Sequence, residues 1–141
     1  MKVLVTGTTG MLGSAVVRDL KRFNLFYDVI ESGPSSDRDL TDLDTARDFV
    51  NTEKPDVIIH LAAVTSLNEC KKNPDKANTL HADLTKILAS SCKRMIYVST
   101  DSVFDGAAST PYGETSDANP VNVYAKSKLI GEAAAINNNK N

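Results

Sequence analysis

The 141-residue sequence has no apolar run of bilayer length, no C-x-x-C pair and no charge excess that would favour a polyanionic partner. Each absence narrows the function. A membrane-spanning helix needs about 20 consecutive apolar residues, so no membrane partner is expected. The formal net charge is -2 with 24% charged residues, which gives neither nucleic acid nor an anionic lipid surface an electrostatic reason to bind. Cysteine is limited to Cys70 and Cys92, with no paired histidines, so both read as reduced thiols rather than a disulfide or metal ligands. Met1-Lys2-Val3-Leu4-Val5-Thr6 runs straight into a strand-like segment without the hydrophobic region and cleavage site of a secretory signal, and the expected compartment is the cytosol.

What is present is alternation. Val3 to Thr6, Tyr27 to Glu31, Val57 to Leu61 and Met95 to Ser99 read as strands, and a short extended piece is expected around Asp39 and Leu40. The run Val57-Ile58-Ile59-His60-Leu61 is too continuously apolar for a half-exposed strand and suits the centre of a parallel sheet. Between these lie helices from Met11 to Phe23, from the capping Asp42 through Ala46, Phe49 and Val50, from about Pro74 to Ser91, and from Val121 to Ala135. Ser32 to Ser36 is a loop by composition, and Asp105 to Pro120 is a long loop of the kind that is more often functional than idle. The polar tail Ile136 to Asn141 is expected to fray. The chain is therefore one α/β domain over residues 1–141, a doubly wound parallel sheet with expected strand order 3-2-1-4-5, counting the Asp39–Leu40 piece as the third strand. A ligand crevice belongs at the carboxyl ends of strands one and four, where the winding reverses.

Gly7-x-x-Gly10-x-x-Gly13 follows the first strand directly and opens a helix. In that context Gly7 permits a tight turn, Gly10 permits close approach of a ligand, and Gly13 permits the helix to press on the sheet, the arrangement of a Rossmann-like dinucleotide site. The free N–H groups at the helix start suit a pyrophosphate. At the end of the second strand two readings stay open. Glu31 would accept the ribose hydroxyls of NAD, whereas Ser32, Ser35, Ser36 or Arg38 would cradle the 2′-phosphate of NADP.

Tyr124-x-x-x-Lys128 places a phenol and an ammonium on one helical face. A fixed positive charge lowers a phenol's pKa from about 10 toward the range useful for proton transfer. Ser99-Thr100, at the end of the preceding strand, offers a hydroxyl to a substrate carbonyl. His60, on an apolar strand, reads as a core residue satisfied by a backbone partner.

The spacing G-x-x-G-x-x-G resembles that of the short-chain dehydrogenase/reductase superfamily. Together with Asp39-Leu40-Thr41-Asp42, His60-Leu61-Ala62-Ala63-Val64-Thr65, Val98-Ser99-Thr100-Asp101-Ser102-Val103-Phe104-Asp105-Gly106 and Asn119-Pro120-Val121-Asn122-Val123-Tyr124, the chain is similar to the dTDP-4-dehydrorhamnose reductases. The resemblance implies NADP- or NAD-dependent reduction of the 4-keto group of a dTDP-linked 6-deoxy sugar. It implies that Thr100 orients the keto oxygen, Tyr124 protonates it, and Lys128 holds the nicotinamide ribose and tunes Tyr124. Gly7, Gly10, Met11, Leu12 and Gly13 would line the pyrophosphate, Asp39 and Leu40 the adenine, and Ala62, Ala63 and Thr65 the ribose. No metal is implied.

Ser102 stands where the family usually has tyrosine, and His81 where asparagine is usual. The family also continues through two further strands and a nucleotide-sugar region that this sequence does not contain. The expectation is thus a cofactor half-site, with the nucleotide sugar bound poorly or not at all by the isolated chain, and an exposed edge at Met95 to Ser99. The helices at 74–91 and 121–135 resemble the dimer contact of the superfamily. The alternative is a non-catalytic dinucleotide-binding subunit, since the regulatory subunit of methionine adenosyltransferase is similar to these reductases.

Overall fold

A computed structural model describes residues 1–23 and 25–139. Four parallel strands, β1 (Lys2–Thr6), β2 (Asp28–Glu31), β3 (Val57–His60) and β4 (Arg94–Tyr97), form one sheet in the order β2-β1-β3-β4. Val3 pairs with Val29 on one side and Val57 on the other, and Ile58 pairs with Met95. The chain winds outward from β1 to β2, then crosses back to β3 and β4. The reversal falls between the carboxyl ends of β1 and β3, which are the expected strands one and four.

Alternation along β1 distributes its side chains to two layers. Leu4 and Ile58 face a core with Leu40, Ala46, Phe49, Val50, Leu84 and Leu88, built on helices α2 (Leu43–Glu53) and α5 (Leu84–Ser90). Val3 and Val5 face Val17 of α1 (Met11–Arg22), with Val16, Leu20 and Ile59 packed around them. The fold class is therefore α/β with helices on both faces of a parallel sheet, as the sequence predicts.

The outermost member of the expected order is not a strand. Gly33 takes a left-handed φ of 73°, and the carboxylate of Asp39 accepts both the N–H and the hydroxyl of Thr41, at 2.9 and 2.7 Å. These bonds turn the chain directly into α2, so Leu40 is buried as a core side chain without adding to the sheet. Asp42 then caps α2 as expected, accepting from the N–H groups of Asp44 and Thr45.

The segment expected as one helix from Pro74 to Ser91 is α4 (Pro74–Asn78), a π-helical turn at Thr79–Asp83, and α5. A short helix, α3 (Leu67–Lys72), precedes it, and the side chain of Ser66 accepts from the Glu69 N–H at its start. The spacing Ser66-x-x-Glu69 is the capping signal that marks this helix in the sequence. Finally, α6 (Val123–Asn138) begins at Asn122, whose side chain accepts from the Ala125 N–H at 2.8 Å, and runs three residues beyond the expected Ala135. Of the tail expected to fray, Ile136 to Asn138 are helical and Asn139 donates to the carbonyls of Ala89 and Cys92. Lys140 and Asn141 lie outside the described residues. Among the described residues, β4 pairs only with β3, and its Ile96 is 47% exposed. No helix among them is long and apolar enough to cross a membrane.

Candidate functional site

The glycine loop folds as its spacing requires. Gly7 has a φ of 70°, and a Cβ on it would stand 2.7 Å from the Ala62 nitrogen, so the end of β1 touches the backbone leaving β3. A Cβ on Gly13 would stand 2.1 Å from the Gly7 carbonyl oxygen, so α1 descends onto the loop itself. Gly10 caps α1 with extended backbone and no side-chain hydrogen bond, and the first turn contains no acidic residue. The amides of Met11, Leu12 and Gly13 precede the first intrahelical bond, from Ser14 N–H to the Gly10 carbonyl, and lack helical acceptors. With the positive end of the helix dipole behind them, they suit a pyrophosphate group.

This loop opens into a groove of about 790 Å³ that runs across the carboxyl ends of the sheet. Gly7, Gly10, Met11, Leu12, Gly13, Asp39 and Leu40 line it, as do Ala62, Ala63 and Thr65 after β3. Tyr124, Lys128 and Ser99 line the same groove. The groove thus brings together the residues expected at the pyrophosphate, adenine and ribose with Tyr124 and Lys128, but not Thr100, Glu31 or Ser36. Thr100 is not among the lining residues. Its hydroxyl accepts the Ser102 N–H at 3.2 Å and lies 3.4 Å from the Asp101 carboxylate, in the 3-10 turn Asp101–Val103. At this strand end the groove wall carries the hydroxyl of Ser99, which donates to the Glu132 carboxylate.

Lys128 is 3% exposed. Its ammonium donates to the Val98 carbonyl at 2.6 Å and sits 4.0 Å from the centre of the Tyr97 ring. Burial pulls its pKa down to about 8, against the opposing pull of Glu132. Tyr124 lies half-buried at the start of α6, with the His81 ring set edge-on to its own at 5.8 Å.

Two buried histidines support the groove. The Val64 N–H donates to His81 Nε2 at 3.0 Å, which fixes the proton on Nδ1, and Nδ1–H donates to the Ser127 hydroxyl at 2.8 Å. Ser127 in turn donates to the Tyr124 carbonyl at 2.9 Å. His60 Nε2–H donates to the Leu80 carbonyl at 3.3 Å, and its Nδ1 accepts from Thr6. The Thr6 hydroxyl also accepts the N–H groups of Leu61 and Ala62, both at 3.2 Å. His60 is therefore the satisfied core residue the sequence suggests. Burial, reinforced by the Lys128 charge, lowers His60 to about 3 and His81 to about 4, so both are neutral at pH 7.

At the end of β2, Glu31 pairs with Lys21 at 2.6 Å and does not line the groove, whereas Ser32, Gly33, Ser35 and Arg38 do. Sequence reasoning did not single out Lys76, Glu69 or Val64, which also line it. Val64 acts through its backbone, which carries no side-chain signal. Cys70 and Cys92 are free thiols whose Sγ atoms donate to the Val64 and Leu88 carbonyls. No cluster of histidine, cysteine and carboxylate side chains among the described residues is arranged to hold a metal.

The chain is similar over most of its length to proteins of two kinds. It is 39% identical over 139 residues to methionine adenosyltransferase 2 subunit beta of Danio rerio, covering 93% of this chain and 42% of that protein. The crystal structure of a dTDP-4-dehydrorhamnose reductase from Clostridium acetobutylicum superposes with a TM-score of 0.89 at 35% identity, covering 99% of this chain and 50% of that one. A dTDP-4-dehydrorhamnose reductase from Bacillus anthracis, solved in complex with NADP, superposes with a TM-score of 0.86 at 29% identity, covering 98% and 50%. The chain spans about half the length of these relatives. The family model described as RmlD substrate binding domain matches residues 1–141, and the chain belongs to that family.

Proposed function

We propose that this chain supplies the dinucleotide site and the proton donor of an NADP- or NAD-dependent reductase acting on the 4-keto group of a dTDP-linked 6-deoxy sugar. The observation that carries this reading is the single groove joining the glycine loop to Tyr124 and Lys128. In it, Gly7, Gly10, Met11, Leu12 and Gly13 hold the pyrophosphate, Asp39 and Leu40 the adenine, and Ala62, Ala63 and Thr65 the ribose. A bound reduced nicotinamide supplies hydride to the carbonyl carbon. Tyr124 delivers the proton to the carbonyl oxygen, so that the C=O group becomes CH–OH, and the resulting phenolate regains a proton from water. Lys128 stays charged below about pH 8 and stabilises that phenolate while holding the nicotinamide ribose. Thr100 orients the keto oxygen, which requires its hydroxyl to leave the 3-10 turn, while Ser99 already faces the groove.

Mixing the chain, and a longer form carrying any following segment, with NADPH and the keto sugar tests the reading through loss of absorbance at the nicotinamide band. Turnover abolished by Tyr124→Phe supports it, and no turnover by the longer form removes it.

A second reading is a non-catalytic dinucleotide-binding subunit of a methionine adenosyltransferase. It is favoured by the 39% identity to such a subunit and by the engagement of the Thr100 hydroxyl in its own turn. A stable complex with the synthetase on gel filtration, with dinucleotide bound and no reduction, would select it. On this proposal the protein works in the cytosol, and the helices at 74–91 and 121–135 are the proposed contact between two copies.

A further inference from the structure

We infer that Glu132 is a positioning residue of the groove, which acts through Lys128 as the fixed negative charge set against the buried ammonium at the end of β4. Glu132 does not itself line the groove. The inference rests on the reading of Lys128 as the group that holds the nicotinamide ribose. It adds the residue that keeps this group charged in a buried setting.

Three features converge. First, α6 presses on the sheet at the residue before Glu132. A Cβ on Gly131 would stand 2.2 Å from both the His81 carbonyl oxygen and the Tyr97 hydroxyl, and this close approach carries the half-buried Glu132 to the strand end. Second, the carboxylate and the ammonium hold adjacent residues. Glu132 accepts the Ser99 hydroxyl, while Lys128, one helical turn earlier, donates to the Val98 carbonyl at 2.6 Å. Residues four apart share a helix face, so both charges lie on the side of α6 turned to β4. They make no direct ion pair among the described residues, and their attraction acts across protein, where it is screened less than in water. Third, the other groups around the ammonium supply no opposing charge. The Tyr97 ring lies 4.0 Å from it, and burial raises the Tyr97 phenol above its ordinary value, so it stays protonated. His60 on β3 and His81 in the π-helical turn, at about 3 and about 4, are neutral above pH 6. Tyr124 lines the groove one turn before Lys128. Glu132 is thus the anion that works against the burial of Lys128.

Carbon NMR of the Lys128 Cε, assigned by loss of its signal in Lys128→Met, follows the ammonium from pH 6 to 10 with no ligand present. The parent is expected to titrate near pH 8. Glu132→Gln is isosteric and still offers Ser99 an acceptor, so it removes the charge alone, and its midpoint is expected to fall below the parent's. Glu132→Asp restores the charge and recovers most of that shift, and Ser99→Ala, which unpins the carboxylate, falls between the parent and Glu132→Gln. Calorimetric titration with NADPH then reads the consequence. In Glu132→Gln the affinity at pH 6 is unchanged, and the ratio of affinity at pH 6 to that at pH 8 rises about three- to fivefold. A Lys128 midpoint that stays in place in Glu132→Gln, or that moves equally in Glu132→Asp, overturns the inference. So does a melting temperature at pH 6 that drops in both variants with the midpoint unmoved, which assigns Glu132 to packing. No NADPH binding by the parent overturns the reading of the groove, and the unliganded titration still decides on Glu132.

Discussion

The Nδ1 atom of His81 lies 2.8 Å from the hydroxyl of Ser127, in a buried seam that connects the chain after β3 to the helix carrying Tyr124. Because Val64 N–H occupies the other ring nitrogen, the imidazole bridges the two walls of the groove only when it is neutral. Protonation turns Nε2 into a donor facing a donor.

Acid should therefore loosen the fold in a defined window. The pKa of His81 is about 4 in the folded chain against an ordinary 6.5, and that of His60 about 3. Between these values and 6.5 the unfolded chain binds more protons. Stability is then fully present above about pH 6.5 and falls as pH drops toward 4, with a slope approaching about 1.4 kcal/mol per pH unit for each histidine. Urea denaturation at pH 7, 6 and 5 measures the slope. His81→Asn, whose amide offers both an acceptor and a donor, should remove one histidine's share, and an unchanged slope would contradict this account.

The expected strand at Asp39–Leu40 and the observed turn show where the sequence stops being legible. Apolar periodicity located β1, β3, α1 and α2 because burial on a sheet face enforces it. The glycine spacing and Tyr124-x-x-x-Lys128 located the groove because both depend on short-range geometry. The Asp39–Leu40 segment carries one buried side chain and no alternation, so side-chain bonds to Thr41 decide its path. The π turn at Thr79–Asp83 was equally hidden, since it accompanies tertiary contacts such as Gly131, where a Cβ would stand 2.2 Å from the His81 carbonyl oxygen. The engagement of Thr100 by its own 3-10 turn, with Ser99 on the groove wall, is likewise a matter of rotamer and turn geometry rather than of residue type.

Glycine substitutions should separate the tight positions from the open ones. Gly13→Ala sets a methyl 2.1 Å from the Gly7 carbonyl oxygen, and Gly7→Ala adds a left-handed φ to a 2.7 Å approach to Ala62. Each is expected to cost about 1–3 kcal/mol or more, because the obstacle is backbone. Gly113, with nothing within 4 Å of its Cβ position, should accept alanine within about 0.5 kcal/mol. Thermal melts of the three variants make the comparison, and equal melting temperatures would refute the packing argument.

Lys128→Met should divide stability from function. The ammonium is buried with no carboxylate ion pair among the described residues, which lowers its pKa to about 8 from an ordinary 10.5. Between pH 8 and 10.5 the unfolded chain holds the extra proton, so the parent gains stability as pH rises through that range. Methionine removes both the desolvation penalty and this alkaline gain. At pH 7 the variant is expected to stay within about 1 kcal/mol of the parent, because the lost bond to Val98 offsets the relief of burial. Its dinucleotide binding should weaken at the same time. A large loss of stability with unaltered binding would assign Lys128 a structural role instead.

The long loop after β4 is organised around one carboxylate. Asp105 accepts from the Tyr112 hydroxyl at 2.6 Å, the Asn119 amide at 2.8 Å and the Ala107 N–H at 2.9 Å, and Tyr112 stacks on Phe104 with ring centres 4.4 Å apart. The Tyr112 bond leads these contacts in holding the Asp105 pKa down to about 2, so the carboxylate is charged at any working pH. Asp105→Ala removes three acceptor contacts at once and frees a loop that has few others. Cleavage between residues 105 and 120 under limited proteolysis should accelerate, and the near-ultraviolet signal of the stacked pair should fall, while the far-ultraviolet spectrum of the sheet and helices stays unchanged. Tyr112→Phe, which preserves the stack but loses the bond to Asp105 and the acceptor for the Ala108 N–H at 3.2 Å, should fall between the two. Proteolysis of Asp105→Ala at the parent's rate would show that the loop is held by something other than this carboxylate.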